Sequence, residues 1–525
     1  MHGTANRLII LVSLVMLYAC ASPPPNTDRE PSAAFMDTED TALARLFDEQ
    51  LDQHPDLSGV LLLGNGLDAY VGRAVLARKA QKSIDLQYYM FHRDTVGKLL
   101  IRELLMAADR GVRVRMLIDD MYGDESDDIW SALDTHSNME VRLYNPFARG
   151  SSKNLQFVTQ TRRVNHRMHS KTFTIDNQAS IVGGRNIGDE YFEADEEVAF
   201  TDLDALLIGP VVSEVSVEFD QYWNNQHSYP ITTLTRGIED KAIPAGALET
   251  LRNELNTFYE QEQTLKYRNA LNNSAFANSL RNGKSHFSFS KAIILHDSAD
   301  KMDSSGDEGK DELLVSQLAP YIMAANNEFI LVSPYFVPGQ RGADGICELR
   351  NNGVRVRILT NSLVSNDVAA VHTGYARHRK QLLRCGVELY ELNEQLTRKA
   401  EAEKFTWLPG LSKSSLHAKT MTIDKEKVFV GSFNFDQRSL NINTEIGVLF
   451  RDPEIASHAS QHFDDVIDTV AFRVELVTDE DGDESLRWTG YNGNEKVVFD
   501  SEPYAGFWKK FGAGFMRVLP IDSML

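Results

Sequence analysis

The chain is poor in cysteine, with three in 525 residues, and no Cys/His spacing in it matches a zinc site. Neither a disulfide framework nor structural zinc carries the fold, so hydrophobic burial must. Beyond the first twenty residues there is no long apolar run, which excludes a polytopic membrane protein. Positive charge is also scarce: 54 Lys and Arg against 75 Asp and Glu give a net charge of −21. That excess argues against an extended phosphate-tracking surface, and no nucleic-acid partner is expected. A local basic pocket remains compatible with it, because one phosphate needs only a few well-placed cations. What is present is ordinary, 42% apolar and 25% charged, with length enough for two to four domains.

Residues 1–19 read as a signal peptide, since Arg7 precedes an uncharged run from Leu8 to Ala19 that is too short for a bilayer of about 30 Å. Leu17-Tyr18-Ala19-Cys20 resembles a bacterial lipobox, which implies acylation of Cys20, although Tyr18 is an atypical occupant. Residues 20–45, with Pro23, Pro24, Pro25 and Pro31, are then expected to form a flexible tether. The expected location is a membrane-anchored lipoprotein facing the periplasm. Ala21 stands where some inner-membrane lipoproteins carry Asp, so inner and outer membrane both stay open.

Self-comparison reveals a duplication. Gly111-Val-Arg-Val-Arg115 recurs as Gly353-Val-Arg-Val-Arg357, and Tyr89 aligns with Tyr335. His169-Ser-Lys-Thr-Phe-Thr-Ile-Asp176 recurs as His417-Ala-Lys-Thr-Met-Thr-Ile-Asp424, after which Gly183 matches Gly431 and Asn186 matches Asn434. Strands and helices alternate within each copy, which predicts two α/β halves, each with helices on the faces of a sheet. The expected domains are 46–230 and 285–470, joined by a helical connector, 231–284. Asp297 to Glu312 reads as a solvated acidic loop. Residues 471–525 read as a hairpin around Asp481-Gly482 and an aromatic tail with Tyr504, Phe507, Trp508 and Phe511, expected to pack.

Side chains alternate along a strand, so His169 and Lys171 share a face, as do His417 and Lys419. Asp176 and Asp424 lie at odd spacing and at a turn, which predicts a structural role for them, with Gly183 and Gly431 permitting close backbone approach. Asn186 and Asn434 are placed to return an amide to the site. One His-Lys-Asn set supplies a single nucleophile or a single acid, whereas displacement at a phosphodiester needs both. Two sets meeting would supply both through a phosphohistidine, the lysines and asparagines stabilising phosphoryl charge with neither metal nor cofactor. Each imidazole also needs a carboxylate to fix its tautomer. Asp202 and Glu445, each eight residues before a proline (Pro210, Pro453), are the candidates. Ser432, matched by Gly184, is a possible phosphate contact or a turn residue, and His166 is expected to support the site or lie at the surface.

These paired motifs resemble the phospholipase D superfamily, whose signature is His-x-Lys-x4-Asp followed by Gly and Asn. Gly183 to Phe192, Asp202 to Val211, Tyr222-Trp223, Asp367 to Tyr375 and Leu519-Pro520-Ile521 look like bacterial cardiolipin synthases of the C type. The resemblance implies two α-β-α sandwich domains related by pseudo-two-fold symmetry around one shared active site. It implies transfer of a phosphatidyl group to phosphatidylglycerol, forming cardiolipin, with phosphatidylethanolamine as a possible second phospholipid and a membrane surface as partner. It also implies His169 as nucleophile and His417 as acid/base. Gly184, where the superfamily often has Ser, would remove one phosphate contact. Asp367, His372, Tyr375 and Arg377 are candidates for lining the acceptor site. The alternatives are hydrolysis to phosphatidic acid, nuclease or phosphodiesterase activity at the same site, and a non-catalytic lipid-binding lipoprotein. Whether Cys347 and Cys385 pair is left open by the sequence.

Overall fold

The computed structural model describes residues 22–122, 126–193, 200–238, 241–303, 312–366, 369–393, 415–492 and 495–506. The signal-peptide residues, Cys20, Asp367, Phe507, Trp508 and Phe511 lie outside this set. The first half contributes β1 (Ser58–Leu63), β2 (Ser83–Tyr88), β3 (Arg113–Asp119), β4 (Met139–Tyr144), β5 (Thr172–Ile175), β6 (Ala179–Gly183), β7 (Phe200–Thr201), β8 (Asp204–Ile208), β9 (Ser228–Pro230) and β10 (Ser288–Ser290). The second contributes β11 (Ala292–His296), β12 (Glu328–Val332), β13 (Arg355–Asn361), β14 (Glu388–Leu392), β15 (Ser415–Leu416), β16 (Thr420–Ile423), β17 (Lys427–Gly431), β18 (Ile446–Arg451), β19 (Ala471–Thr478), β20 (Glu484–Asn492) and β21 (Glu495–Phe499).

Two mixed sheets result, ordered β10-β1-β8-β6-β5-β2-β3-β4-β9 and β11-β18-β17-β16-β12-β13-β14-β19-β20-β21. In each, three strands linked by helical crossovers run parallel, β2-β3-β4 and β12-β13-β14, as such connections require. The His-x-Lys segments lead into the antiparallel hairpins β5-β6 and β16-β17. Each sheet is therefore a parallel core with a motif-bearing hairpin beside it. A third pairing, β7 with β15, joins the two halves.

The halves meet across an apolar seam. Val60, Val182, Leu207 and Val215 from the first pack with Ile294, Val430, Val448 and Phe450 from the second. At about 1.5–3 kcal/mol for each fully buried side chain of this size, the seam holds the halves as one body. The repeated arginines lie under the long helices of this layer. Arg115 is buried against Asp85 at 2.7 Å and Asp220 at 2.8 Å, and Arg357 against Glu328 at 2.6 Å.

Several sequence expectations change. The connector forms helices from which Leu251, Leu255, Tyr267, Leu271 and Leu280 enter the first core. Helix Gly66–Lys79 is buried on most of its surface and needs that cover. The first sheet also extends past residue 285, because β10 pairs with β1. Asp297 is not solvated; it is buried and ion-paired to Lys301 at 3.0 Å. The tether is largely docked. Ser32 accepts from the Trp223 Nε1–H, and the carbonyls of Glu30 and Ser32 accept from Arg142 and Arg115, buried donors that would otherwise lack partners. Cys347 and Cys385 are joined in a disulfide. The hairpin β19-β20 turns at residues 479–483, and Tyr504 packs on Phe472 and Phe499.

Candidate active site

A cavity of about 670 Å³ opens where β2, β3 and β12 end, and His169, Asn186, His417 and Asn434 all line it. The sheets dictate this convergence, because both hairpins sit beside the parallel core and present their first residues at its carboxyl end. Met90, Met121, Phe157, Val164, Tyr335 and Val371 supply apolar wall, while Arg167 and Arg438 supply cations.

The two candidate acids do not serve the histidines of their own halves. His169 Nδ1 lies 2.8 Å from Glu445 Oε2, and His417 Nδ1 lies 2.5 Å from Asp202 Oδ2. The backbone explains the crossing. Met168 bridges Thr444 in parallel, and the His169 N–H donates to the Thr444 carbonyl at 2.8 Å. On the other side β15 runs parallel to β7 with Leu416 opposite Thr201. Both registers put a histidine one step onward opposite the partner half's acid. Both acids are buried. Each imidazole presents Nδ1–H to a carboxylate, which commits Nε2 to the chemistry.

Burial is the largest influence on both imidazoles and pushes each down to about 4, against the raising effect of its carboxylate; both are therefore neutral near pH 7. Burial also drives Lys171 well below the ordinary lysine range. The lysines are not equivalent. Both lysines donate to the carbonyl of the histidine two residues before, Lys171 Nζ at 2.5 Å from that of His169, but Lys419 Nζ also lies 2.8 and 3.1 Å from Nδ1 and Nε2 of His417. Tyr89 and Tyr191 stand edge-on to the rings of His169 and His417, at 5.0 and 5.1 Å between centroids.

The remaining candidates divide. Asp176 accepts from the backbone N–H groups of Gln81, Lys82 and Ser83, at 2.7 Å from Lys82 and 2.9 Å from Ser83. Asp424 does the same for Asn326, Asn327 and Glu328, so both pin a strand start instead of facing the cavity. Asn186 donates to the Tyr191 hydroxyl at 2.8 Å, while Asn434 Oδ1 is buried with no hydrogen-bond partner among the described residues. Gly183 and Gly431 allow backbone approach that a Cβ would block, at 2.2 Å from Asp204 Oδ1 and 2.4 Å from the Ile446 carbonyl. His166 is partly buried and directs Nδ1 to the Arg162 carbonyl at 2.6 Å.

The Ser432 hydroxyl donates to Glu445 Oε2 at 2.6 Å and accepts from the Ile446 N–H, so it holds the acid. Gly184 has a related cause, since a Cβ there would lie 2.2 Å from Asp202 Oδ1. Of the acceptor-site candidates, Asp367 lies outside the described residues, His372, Tyr375 and Arg377 are not among the residues that line the cavity, and Val371 is the residue of that helix, among those described, that reaches it.

Sequence reading missed the shell that fixes these groups. Ser439 donates to Glu445 Oε1 at 2.7 Å, Asp297 accepts the Glu445 N–H at 2.9 Å, and Lys301 ties Asp297 to the carbonyls of Ser439 and Asn443. In the first half Asp119 accepts from the Met168 N–H at 2.8 Å and from Arg167 at 3.1 Å. Asn361, which exchanges hydrogen bonds with the Leu416 backbone beside His417 at 3.0 and 3.2 Å, and Asp119 occupy corresponding ends of the repeated Val-Arg-Val-Arg strands, the one signal by which they could have been found. Among the described residues no His/Cys/Asp/Glu cluster has the form of a metal site.

Residues 75–223 and 318–467 each match the family described as "Cardiolipin synthase, PLD-like domain". The chain is 37% identical over 473 residues to cardiolipin synthase C of Escherichia coli K12, covering 90% of this chain and 97% of that one. It is 32% identical to an uncharacterised protein of Helicobacter pylori 26695, over 85% of this chain and 87% of that one. A phosphatidylserine synthase from Haemophilus influenzae shares the fold, with a TM-score of 0.55 at 14% identity, covering 92% of this chain and 100% of that one. The duplicated motif, its meeting in one cavity and the family match over both halves lead to one assignment: the chain belongs to the phospholipase D superfamily, among its cardiolipin synthase-like members, and is an enzyme of the phosphatidyltransferase type.

Proposed function

We propose that the enzyme makes cardiolipin, taking a phosphatidyl group from one phospholipid and passing it to the glycerol hydroxyl of phosphatidylglycerol through a phosphohistidine at His169. The observation that carries the reading is the crossed pair of carboxylates, which orients two neutral imidazoles into one cavity with both an apolar wall and cations. A phospholipid needs that combination, whereas an extended polynucleotide would meet a chain of net charge −21.

His169 suits the nucleophile. Each lysine engages the carbonyl of its histidine, but only at His417 does a lysine, Lys419, also engage the ring among the described residues. Nε2 of His169 attacks phosphorus, a P–N bond forms, and the P–O bond to the headgroup breaks. The entering phosphate anion raises the proton affinity of the facing imidazole, so His417 binds a proton as substrate binds and gives it to the departing oxygen. In the second half-reaction His417 takes the proton of the acceptor hydroxyl as that oxygen attacks phosphorus and the P–N bond breaks. Lys171, Lys419 and the amide of Asn434 stabilise charge on the non-bridging oxygens. Phosphatidylethanolamine is a candidate second phospholipid. We place the chain at a periplasm-facing membrane surface, anchored through an acylated Cys20.

The test is mass spectrometry of the lipids formed from phosphatidylglycerol by the detergent-solubilised enzyme, with and without phosphatidylethanolamine. The expected product is cardiolipin, lost by at least about 10³-fold in both His169→Ala and His417→Ala. In His417→Ala supplied with phosphatidyl-p-nitrophenol, whose leaving group needs no proton, a phosphatidyl adduct should be recovered on the peptide carrying His169. Phosphatidic acid as the main product would identify water as the acceptor and overturn the transferase reading.

A further inference from the structure

We propose that the end of the molecule bearing the cavity mouth is a bilayer-docking face, built from residues 153–164 and Tyr122, and that the docked N-terminal strap begins at this same end. This rests on the lipid-transfer reading of the site and names the surface through which its substrate arrives. The occupant is a bilayer containing anionic phospholipid.

Charge is the first observation. From residue 146 to residue 175 the sequence holds six Lys and Arg and no Asp or Glu, thirty consecutive residues of one sign in a chain of net charge −21. Within that stretch Arg149 is paired with Asp120 and Asp127, and Arg167 with Asp119. Arg162 is exposed, and the side-chain partners of Arg163 are amide and carbonyl oxygens, so these two leave net positive charge at the rim. Apolar exposure is the second. Val158 is 79% exposed and Tyr122 49%, while the adjoining Phe157 and Val164 line the cavity. Exposed apolar side chains beside arginines at the mouth suit an interface of headgroups and acyl chains.

The course of the strap is the third observation. Asn26 donates to the carbonyls of Gln226 and Ser228, and Ser228 pairs with Tyr144 at the cavity end of β4. Ser32 then meets Arg115 at mid-strand, Phe35 lies over Arg113 at the start of β3, and Met36 reaches Asn177 at the turn on the opposite end. The strap therefore runs the length of the first half, and its first described residues lie at the cavity end. Asn145 joins this end of the strap to the charged segment: its N–H donates to the His227 carbonyl and its Nδ2 to the carbonyls of Arg163 and His166. Residues 20–25 span at most about 20 Å, so an anchor at residue 20 holds the mouth against the membrane.

The test uses the full-length chain with Cys20→Ser, in which Cys347 and Cys385 are paired, so that one introduced thiol is labelled. A polarity-sensitive fluorophore is placed at Val158→Cys or at Val217→Cys. Val217 is 52% exposed, and its neighbour Ser216 bonds Asn177 at the far end. Vesicles of brominated phosphatidylcholine with phosphatidylglycerol are then added. The label at position 158 should shift to the blue and lose at least about half its emission, the label at 217 should not change, and Arg162→Glu should raise the lipid needed several-fold. A silent label at 158, equal quenching at both positions, or indifference to Arg162→Glu would overturn the proposal. No turnover enters the readout, so a chain that makes no cardiolipin still gives a decisive answer.

Discussion

The two halves of the site perform the same geometric task with different residues. On one side Asp202 backs onto Gly184 and accepts its only side-chain hydrogen bonds, among the described residues, from His417. On the other Glu445, one methylene longer, accepts from the hydroxyls of Ser432 and Ser439 as well as meeting His169. Gly with Asp and Ser with Glu are thus matched pairs, the small residue leaving room that the acid fills. A duplicated motif can diverge in this way only if the acid and its backing residue change together. The Glu445 carboxylate accepts from two hydroxyls besides meeting its imidazole, while the Asp202 carboxylate accepts from the Leu203 N–H at 2.8 Å besides meeting His417.

The matching is broken most sharply by exchanging backing residues. Gly184→Ser should cost about 10²-fold or more in kcat/KM, because the new Cβ meets a buried carboxylate that has nowhere to move. Ser432→Ala removes one charge-assisted hydrogen bond of about 1.5–3 kcal/mol and should cost about 10- to 100-fold. Steady-state kinetics on both variants decides the order, and a harmless Gly184→Ser would show that the pairs are not matched.

The motif aspartates sharpen the comparison through stability. Asp176 and Asp424 each cap three backbone N–H groups, yet Asp176 is fully buried and Asp424 is not. Burial raises the Asp176 carboxyl above the ordinary range, whereas at Asp424 the backbone donors outweigh burial and lower it. Asp176→Ala should destabilise by about 2–4 kcal/mol and Asp424→Ala by less, read from denaturant midpoints at constant slope. Equal losses would remove the distinction.

The smallest expected effect is on the acid limb. With His169 pushed down to about 4 and the proton that His417 uses already bound in the substrate complex, kcat should change little between pH 7 and pH 5.5. An ordinary histidine near 6.5 would lose about tenfold over the same range. The sign for stability follows from linkage. The unfolded chain takes up protons first, so the melting temperature should fall as pH drops from about 6.5 toward 4, and the loss is complete below the folded value.

Much of this was legible in the sequence. The two halves, their alternation of strand and helix, the hairpins and the structural placement of Asp176 and Asp424 all follow from local periodicity and spacing. What was not legible depends on the third dimension. Counting to Pro210 and Pro453 finds Asp202 and Glu445, but only the pairing of β7 with β15, and of Met168 with Thr444, shows which histidine each one meets. Ser432 points to Glu445 because that acid comes from a strand thirteen residues on, a contact no motif encodes. The strap escaped notice because proline-rich sequence resembles a tether, whereas its docking is set by buried arginines far away in the chain.

The central claim is that each carboxylate governs the histidine of the opposite half, and nitrogen NMR of selectively labelled histidines tests it most directly. The signals would be assigned with the two alanine variants and then followed in Glu445→Gln and Asp202→Asn. Glu445→Gln should move the ring nitrogens of His169 and leave those of His417 in place, and Asp202→Asn should do the reverse. If each substitution instead moves the histidine of its own half, the crossed site is wrong.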